Sequence, residues 1–326
     1  MFSHALSWRS AWATAAYGDD GFWRTERPIG HFRTAAATTD LQARMIAAVL
    51  ARAPEIGAVV DLGAGDGQLL NSLLQLRPDL AFYGIDLRER PDDLDDDVTW
   101  CRDLWDVETT AWTSGEAFVV LATLDRPTLL LAVEWLDDLP CTICQRQGRS
   151  LRLVDVDDTG NETLGMEASA DDHAWAGHWW PEGPRVEVGS SRDRAWAAAC
   201  AQLQGYGGLG LVIDYGHLGA DRPSSGTLTG FSHGHQCPPL PTGQMNLTAH
   251  VAIDAVAVAA EHIGAETVEL VRQKDVAERL LAQQGPVGGD ALTALVRRSE
   301  MHAITAPTVF GDFWWLLQRV PPADRR

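Results

Sequence analysis

Three glycines and two carboxylates carry the sharpest chemical signal in this chain. The segment VVDLGAGDG, Val59 to Gly67, ends an apolar run in Asp61 and then places Gly63, Ala64, Gly65 and Gly67 at the opening of a helical stretch. Glycines let a backbone turn tightly and approach a ligand that a Cβ would exclude. A dinucleotide fingerprint needs its third Gly or Ala three positions after the second, where this chain has Gln68, and calls for no acid two residues before the first. The loop therefore points away from NAD. Asp61 suits a ligand that presents a cation, such as the ammonium of an amino-acid moiety, and S-adenosyl-L-methionine is such a ligand. Asp86, followed by Leu87, closes the next apolar run near the roughly 20-residue spacing at which a carboxylate accepts both ribose hydroxyls. Asp103, between Trp100 and Leu104, is placed to accept from an adenine amino group beside an apolar wall. The competing accounts are an ordinary strand-to-helix turn for the loop and helix capping for Asp103.

These residues need a sheet to bring them together. GAVVDLGAG reads as a buried strand entering the glycine turn, and QLLNSLLQL behind it carries leucines at helical spacing. AFYGIDL, VTWCRDL, PTLLLAVEWL and GGLGLVIDYG are further short apolar strands, followed by the helical AHVAIDAVAVAAEHIG and the strands ETVELV and FGDFWWLLQRV. This order predicts a doubly wound, mostly parallel α/β sheet, in which ligands sit outside the carboxyl ends of the strands. Residues 1–52, with the helical LQARMIAAVLARA, are expected to form an N-terminal lid. Residues 53–326 are expected to form the sheet domain, with insertions at about 149–191, hairpin-like around DDTGNET, and at about 217–248.

Of the 326 residues, 45% are hydrophobic and 22% charged, which supports a substantial core and excludes disorder, collagen and coiled coil. Lys+Arg 26 against Asp+Glu 45 leaves a formal net charge of -19, which disfavours nucleic acid and anionic membranes and favours a basic partner. No run approaches the roughly 18 to 20 apolar residues of a membrane span, and MFSHALSWRSAW lacks the order of a leader, so a cytoplasmic location is expected. Five cysteines without framework spacing fit a reducing compartment. A single lysine, Lys274, among many Ala and Arg is read as the codon composition of a GC-rich bacterial genome.

His233, His235 and Cys237 match no standard zinc spacing and CTIC lacks a second pair, so no metal is expected. The tryptophans of HAWAGHWW are read as core packing or a dimer contact, which leaves a homodimer open. The run DDLDDD, Asp92 to Asp97, is either a solvated turn or a guide for a basic substrate.

Taken in succession, VVDLGAGDG, LLLAVEWLDDLP, GLGLVIDYGH, GTLTGF and NLTAHV resemble the MidA-like family of S-adenosyl-L-methionine-dependent methyltransferases, which includes the mitochondrial arginine methyltransferase of complex I assembly. The likeness spans most of the chain, from GHFRTAA onward. It implies a class I, Rossmann-like methyltransferase fold and adds Thr34 as a cofactor neighbour, because Thr34 matches the family's Thr. The chain departs from the family's pattern at His31, Ala36, Ala37, Val133 and Asn246, positions on the substrate side of the motifs.

A sulfonium methyl is already activated toward in-line displacement, so the protein's task is to align a nucleophile and exclude water. For a guanidinium nitrogen, carboxylates fix the planar fork. Glu134 is the leading catalytic candidate and Asp137 the second; Asp137 and Asp138 have helix capping or a solvated face as their alternative, and Glu187 matches a family glutamate. The expected function is methyl transfer to a protein nitrogen such as arginine, on a basic protein. The rival readings are a catalytically impaired cofactor-binding assembly protein and a small-molecule methyltransferase.

Overall fold

Alternate side chains of the apolar runs face opposite ways, so a strand apolar at every position must be covered on both sides. The computed structural model describes residues 5–25, 41–282, 299, 301–302, 304–306 and 310–323. Four strands come first: β1 (Ala58–Leu62), β2 (Ala81–Asp86), β3 (Val98–Arg102) and β4 (Thr128–Val133). Next come β5 (Thr142–Gln147), β6 (Ser150–Val156), β7 (Glu162–Glu167) and β8 (Arg185–Val188), an antiparallel group to which the edge strand Leu6–Ser7 also pairs. β9 (Gly208–Asp214) returns to the first sheet. A small sheet of β10 (Thr229–Ser232), β11 (His235–Cys237) and β12 (Asn246–Thr248) follows, then β13 (Glu266–Arg272) and β14 (Trp314–Val320).

The central sheet has the order β13-β14-β9-β4-β1-β2-β3. β4, β1, β2 and β3 run parallel with β9, while β14 is antiparallel to both of its neighbours. β1 and β4 are buried at every residue, as the centre of a two-faced sheet requires. Leu129, Leu131 and Val133 of β4 pack on one face, with α2 (Leu41–Leu50), α3 (Gln68–Leu76) and α8 (Gln273–Ala282). Leu130 and Ala132 pack on the other, with α4 (Glu116–Thr123), α6 (Ser190–Ala201) and α7 (Ile253–Glu261). Helices on both faces of a mostly parallel sheet make this the doubly wound architecture expected from the sequence.

α1 (Trp8–Tyr17) lays Trp8, Trp12 and Ala16 against Ile143 of β5 and Val154 and Val156 of β6. β6 and β7 pair antiparallel around the DDTGNET turn. Trp175 of α5 (Ala170–Trp179) and Trp180 are buried against β5 and β8, so the tryptophan-rich stretch packs into that core. The acidic run Asp92 to Asp97 is an ordered turn: Arg90 donates to the carbonyls of Leu94, Asp95 and Val98, and Leu94 is buried under Gly67. All five cysteines are unpaired, four of them buried. Among the described residues no helix is long and apolar enough to cross a membrane.

Candidate functional site

The turn after β1 shows why glycine stands at three of its five positions. Gly63, Gly65 and Gly67 have φ of +67°, +61° and +70°, left-handed conformations that cost a side-chain-bearing residue roughly 1–2 kcal/mol. At Gly63 a Cβ would also meet the Trp135 ring at 2.5 Å, whereas at Gly65 the nearest atom would be an Arg88 guanidinium nitrogen at 3.5 Å. Gly65 is thus less crowded than Gly63, with only ordinary van der Waals contacts around a would-be Cβ, the side from which a ligand can approach the cradle. The Gly63 and Ala64 amides donate to the Ile85 carbonyl, which ties the turn to β2.

Two carboxylates flank this cradle. Asp61 is 3% exposed, and among the described residues no donor reaches its carboxyl group. Burial, reinforced by Asp86, raises its pKa to about 8. Such a group is relieved by a cation. Asp86 accepts from the Gly65 amide at 2.9 Å through one oxygen, and through the other from the Arg88 amide at 2.9 Å and the Arg88 side chain at 3.1 Å. Arg88 also reaches Asp66 at 3.2 Å, so its guanidinium straddles the turn.

Asp103 sits beside Asp86, its amide donating to the Asp86 carbonyl, but its carboxylate faces its own loop. One oxygen accepts from Leu104 N, Thr113 Oγ1 and Ser114 N, the other from Ala117 N in the first turn of α4. Burial pushes its pKa up, yet these donors together outweigh that and hold it below the ordinary value. Leu87 and Leu104 are half-buried beside these acids. Thr34, with His31, Ala36 and Ala37, lies outside the described residues.

The second half of the site follows β4. Glu134 is half-buried and adopts φ +51°, a strained backbone for a residue with a Cβ. Its amide is pinned to the Ile213 carbonyl at 2.9 Å, and Trp135, packed on Gly63 and stacked on Trp112, locks the next residue. The turn carrying Glu134 is thus wedged against the glycine turn. Asp214, fully buried at the end of β9, accepts from the amides of Leu136 and Asp137 at 3.1 and 3.2 Å. Burial, with Asp137 and Glu134 nearby, raises the Asp214 pKa well above the carboxylate range.

Asp137 is 3% exposed and accepts from Thr248 Oγ1 at 2.6 Å, and Thr248 in turn meets the Tyr215 hydroxyl. Asp138 accepts from the Asn246 side-chain amide at 3.0 Å, and burial followed by Asp137 raises its pKa well above the ordinary value. Asp137 Oδ1, Asp214 Oδ1 and Asn246 Oδ1 are buried acceptors without a partner.

Beneath them Arg192, 2% exposed, donates to the carbonyls of Leu139, Asp137, Ala249 and His250 and faces the Trp12 ring. From α1, Tyr17 donates to the Asp138 carbonyl at 3.0 Å. Glu187 is committed to a neighbouring loop, accepting from Thr227 N, Thr227 Oγ1 and Leu228 N.

The fold brings Asp61, the glycine turn, Asp86, Asp103, Glu134 and Asp137 to the carboxyl ends of adjacent strands. Arg88, Trp135, Arg192 and Thr248 belong to the same edge and carry no local signal; only the strand-end position of Arg88, two residues past Asp86, hinted at a part. Among the described residues no three metal-ligating side chains are grouped to hold an ion.

The profile of a family described as S-adenosyl-L-methionine-dependent methyltransferase matches residues 85–271, more than half of the chain. No curated protein matches it. Among solved structures, the chain is similar to a Burkholderia thailandensis protein crystallised with S-adenosyl-homocysteine, at TM-score 0.73 and 19% identity, covering 96% of this chain and 87% of that one. It is also similar to a native crystal structure of a Burkholderia thailandensis protein, at TM-score 0.74 and 20% identity over the same shares of both chains. At such identities the likeness is one of fold.

Proposed function

Because the chain belongs to the family of S-adenosyl-L-methionine-dependent methyltransferases, we propose that it passes the cofactor's methyl group to a nitrogen of a basic protein, arginine foremost. The cofactor supplies an activated sulfonium methyl. Asp61 and the Gly63 to Gly67 turn would hold its cationic amino-acid end, and Asp86, once Arg88 yields one oxygen, its ribose. The left-handed glycine turn and the buried, donor-free carboxyl of Asp61 suit that ligand.

The observation that carries the acceptor class is the group of unpartnered side-chain oxygens on Asp137, Asp214 and Asn246. Asp137 Oδ1, Asp214 Oδ1 and Asn246 Oδ1 are buried without a partner, and Glu134, three residues before Asp137, adopts a strained backbone. A cluster of buried carboxyl groups, Asp214 and Asp138 held protonated by burial, favours a cationic donor that lets them ionise, and guanidinium presents five N–H donors and no acceptor. Glu134 would orient that fork, Asp137 would back it, and the turn pinned by Asp214 would hold both in register. The net charge of -19 draws a basic protein toward the site.

Labelled methyl from the cofactor, added with the protein to a lysate of the source organism and resolved into protein and small-molecule fractions, tests the acceptor. Label in protein, on arginine, is expected. Label confined to metabolites supports small-molecule methylation, and none despite tight cofactor binding supports an assembly protein. Calorimetry is expected to give micromolar-range binding of S-adenosyl-L-methionine, order of magnitude only, and loss of it in Asp86→Ala. Tighter binding of NAD would overturn the assignment of Asp61 and Asp86.

A further inference from the structure

Three residues without a role in the scheme above, Glu187, Thr227 and His250, are linked by hydrogen bonds. Glu187 of β8 accepts from Thr227 Oγ1, and Thr227 Oγ1 accepts from the amide of His250 at 2.8 Å. On the other side, Arg192 Nη1 donates to the His250 carbonyl at 3.0 Å while its Nη2 holds the Asp137 carbonyl at 2.8 Å. One buried guanidinium therefore grips both the residue after Ala249 and the turn that bears Asp137. Residues Val251 and Ala252 then pair in parallel with Gly216 and His217, just beyond β9.

The backbone of His250 is thus fixed from both sides by Thr227 and Arg192, yet its imidazole is exposed and neither ring nitrogen has a hydrogen-bond partner among the described residues. Its ring leans edge-on against Tyr215 at 5.2 Å and lies 6.3 Å from His217. A scaffold that orders an exposed imidazole and leaves both nitrogens available is built for a ligand contact.

We propose that His250 is the base that takes the proton released by the methyl acceptor, with Thr227 and Glu187 as its positioning residues; this rests on the methyl-transfer reading above. The acceptor's lone pair forms the new bond to carbon as the carbon–sulfur bond breaks, and that bond's electron pair stays on sulfur. The acceptor's proton passes to a His250 ring nitrogen and from the imidazolium to water. No oxidant, metal or further reactant enters.

The charged groups facing His250 agree with a base that is neutral at pH 7. The packing of one side of the ring against Tyr215 lowers its pKa through partial desolvation, Glu187 and Asp137 pull it back up, and Arg192 and Arg272 push it down, with a net lowering. His217 carries no charge beside it, because burial and Arg222 depress its pKa to about 3.

The test is label transfer into lysate protein by His250→Ala and Thr227→Val across pH, beside calorimetry with S-adenosyl-homocysteine. His250→Ala is expected to slow transfer by roughly 100-fold or more. It should lose the wild-type fall in rate at acid pH, regain part of the rate with added imidazole, and bind S-adenosyl-homocysteine within about twofold of wild type. Thr227→Val, which frees the loop and keeps the imidazole, is expected to lie between the two and to retain the acid limb.

Transfer by His250→Ala within about threefold of wild type, or a slow variant that binds S-adenosyl-homocysteine normally and gains nothing from imidazole, overturns the base. A variant that no longer binds S-adenosyl-homocysteine marks His250 as structural and also overturns it. Absence of label in every fraction with the wild-type protein removes the transfer reading itself, and the base with it.

Discussion

In the proposed cofactor site Asp61 is the residue most open to test, because burial pushes its pKa to about 8 and leaves it only partly charged at neutral pH. Binding a cation beside it requires the charged form, so affinity for S-adenosyl-homocysteine is expected to rise from pH 6 to about 8 and then level off. The stability of the ligand-free protein is expected to have the opposite slope. A pKa raised from 3.8 means that the folded state keeps a proton the unfolded chain releases, so this contribution is full below pH 3.8 and lost as pH rises through about 8. Asp61→Asn should flatten both profiles and weaken binding by roughly 10- to 100-fold, the cost of a charge-assisted bond. Calorimetry and thermal melts over that pH range check both signs; an unchanged pH dependence of binding in the variant removes Asp61 from the site.

At the scale of elements, the site is assembled by helix and turn termini. Asp103 caps α4 through Ala117 N while bracing the loop of Thr113 and Ser114. Replacing it by Ala is expected to cost about 1–2 kcal/mol or more in denaturant unfolding at pH 7. Its lowered pKa gives the sign with acid: the stabilisation is present above the ordinary value of 3.8 and is lost as pH falls through the lower folded-state value, so wild type and variant should draw together in acid. Asp214 does the equivalent for the turn after β4, and Trp135 couples that turn to the glycine turn by packing on Gly63. α1 joins the same assembly through Tyr17, so the N-terminal helix contacts the turn that carries the candidate catalytic acids.

For the molecule as a whole, the dominant long-range property is its charge. With a formal net charge of -19, the proposed encounter with a basic acceptor is expected to be electrostatically steered, so that raising ionic strength from about 0.05 to 0.5 M slows transfer to protein several-fold. Binding of S-adenosyl-homocysteine, governed by buried contacts, should change little. Equal salt sensitivity of both would refute steering.

What the residues alone determined follows from short range: a strand, a turn and a helix contiguous over Ala58 to Leu76 declare themselves through apolar spacing, and left-handed backbone at Gly63, Gly65 and Gly67 is a local demand only glycine meets cheaply. The same locality made Asp86 visible at a strand end. Tertiary structure alone decided the partners of the acids. Asp214 holds an amide 77 residues away, Arg192 joins carbonyls on either side of it in the chain, and the oxygens of Asp103 and Glu187 go to neighbouring loops. No periodicity encodes such pairings, because a hydrogen bond depends on angstrom-scale distance and direction that exist only once helices have packed on the sheet.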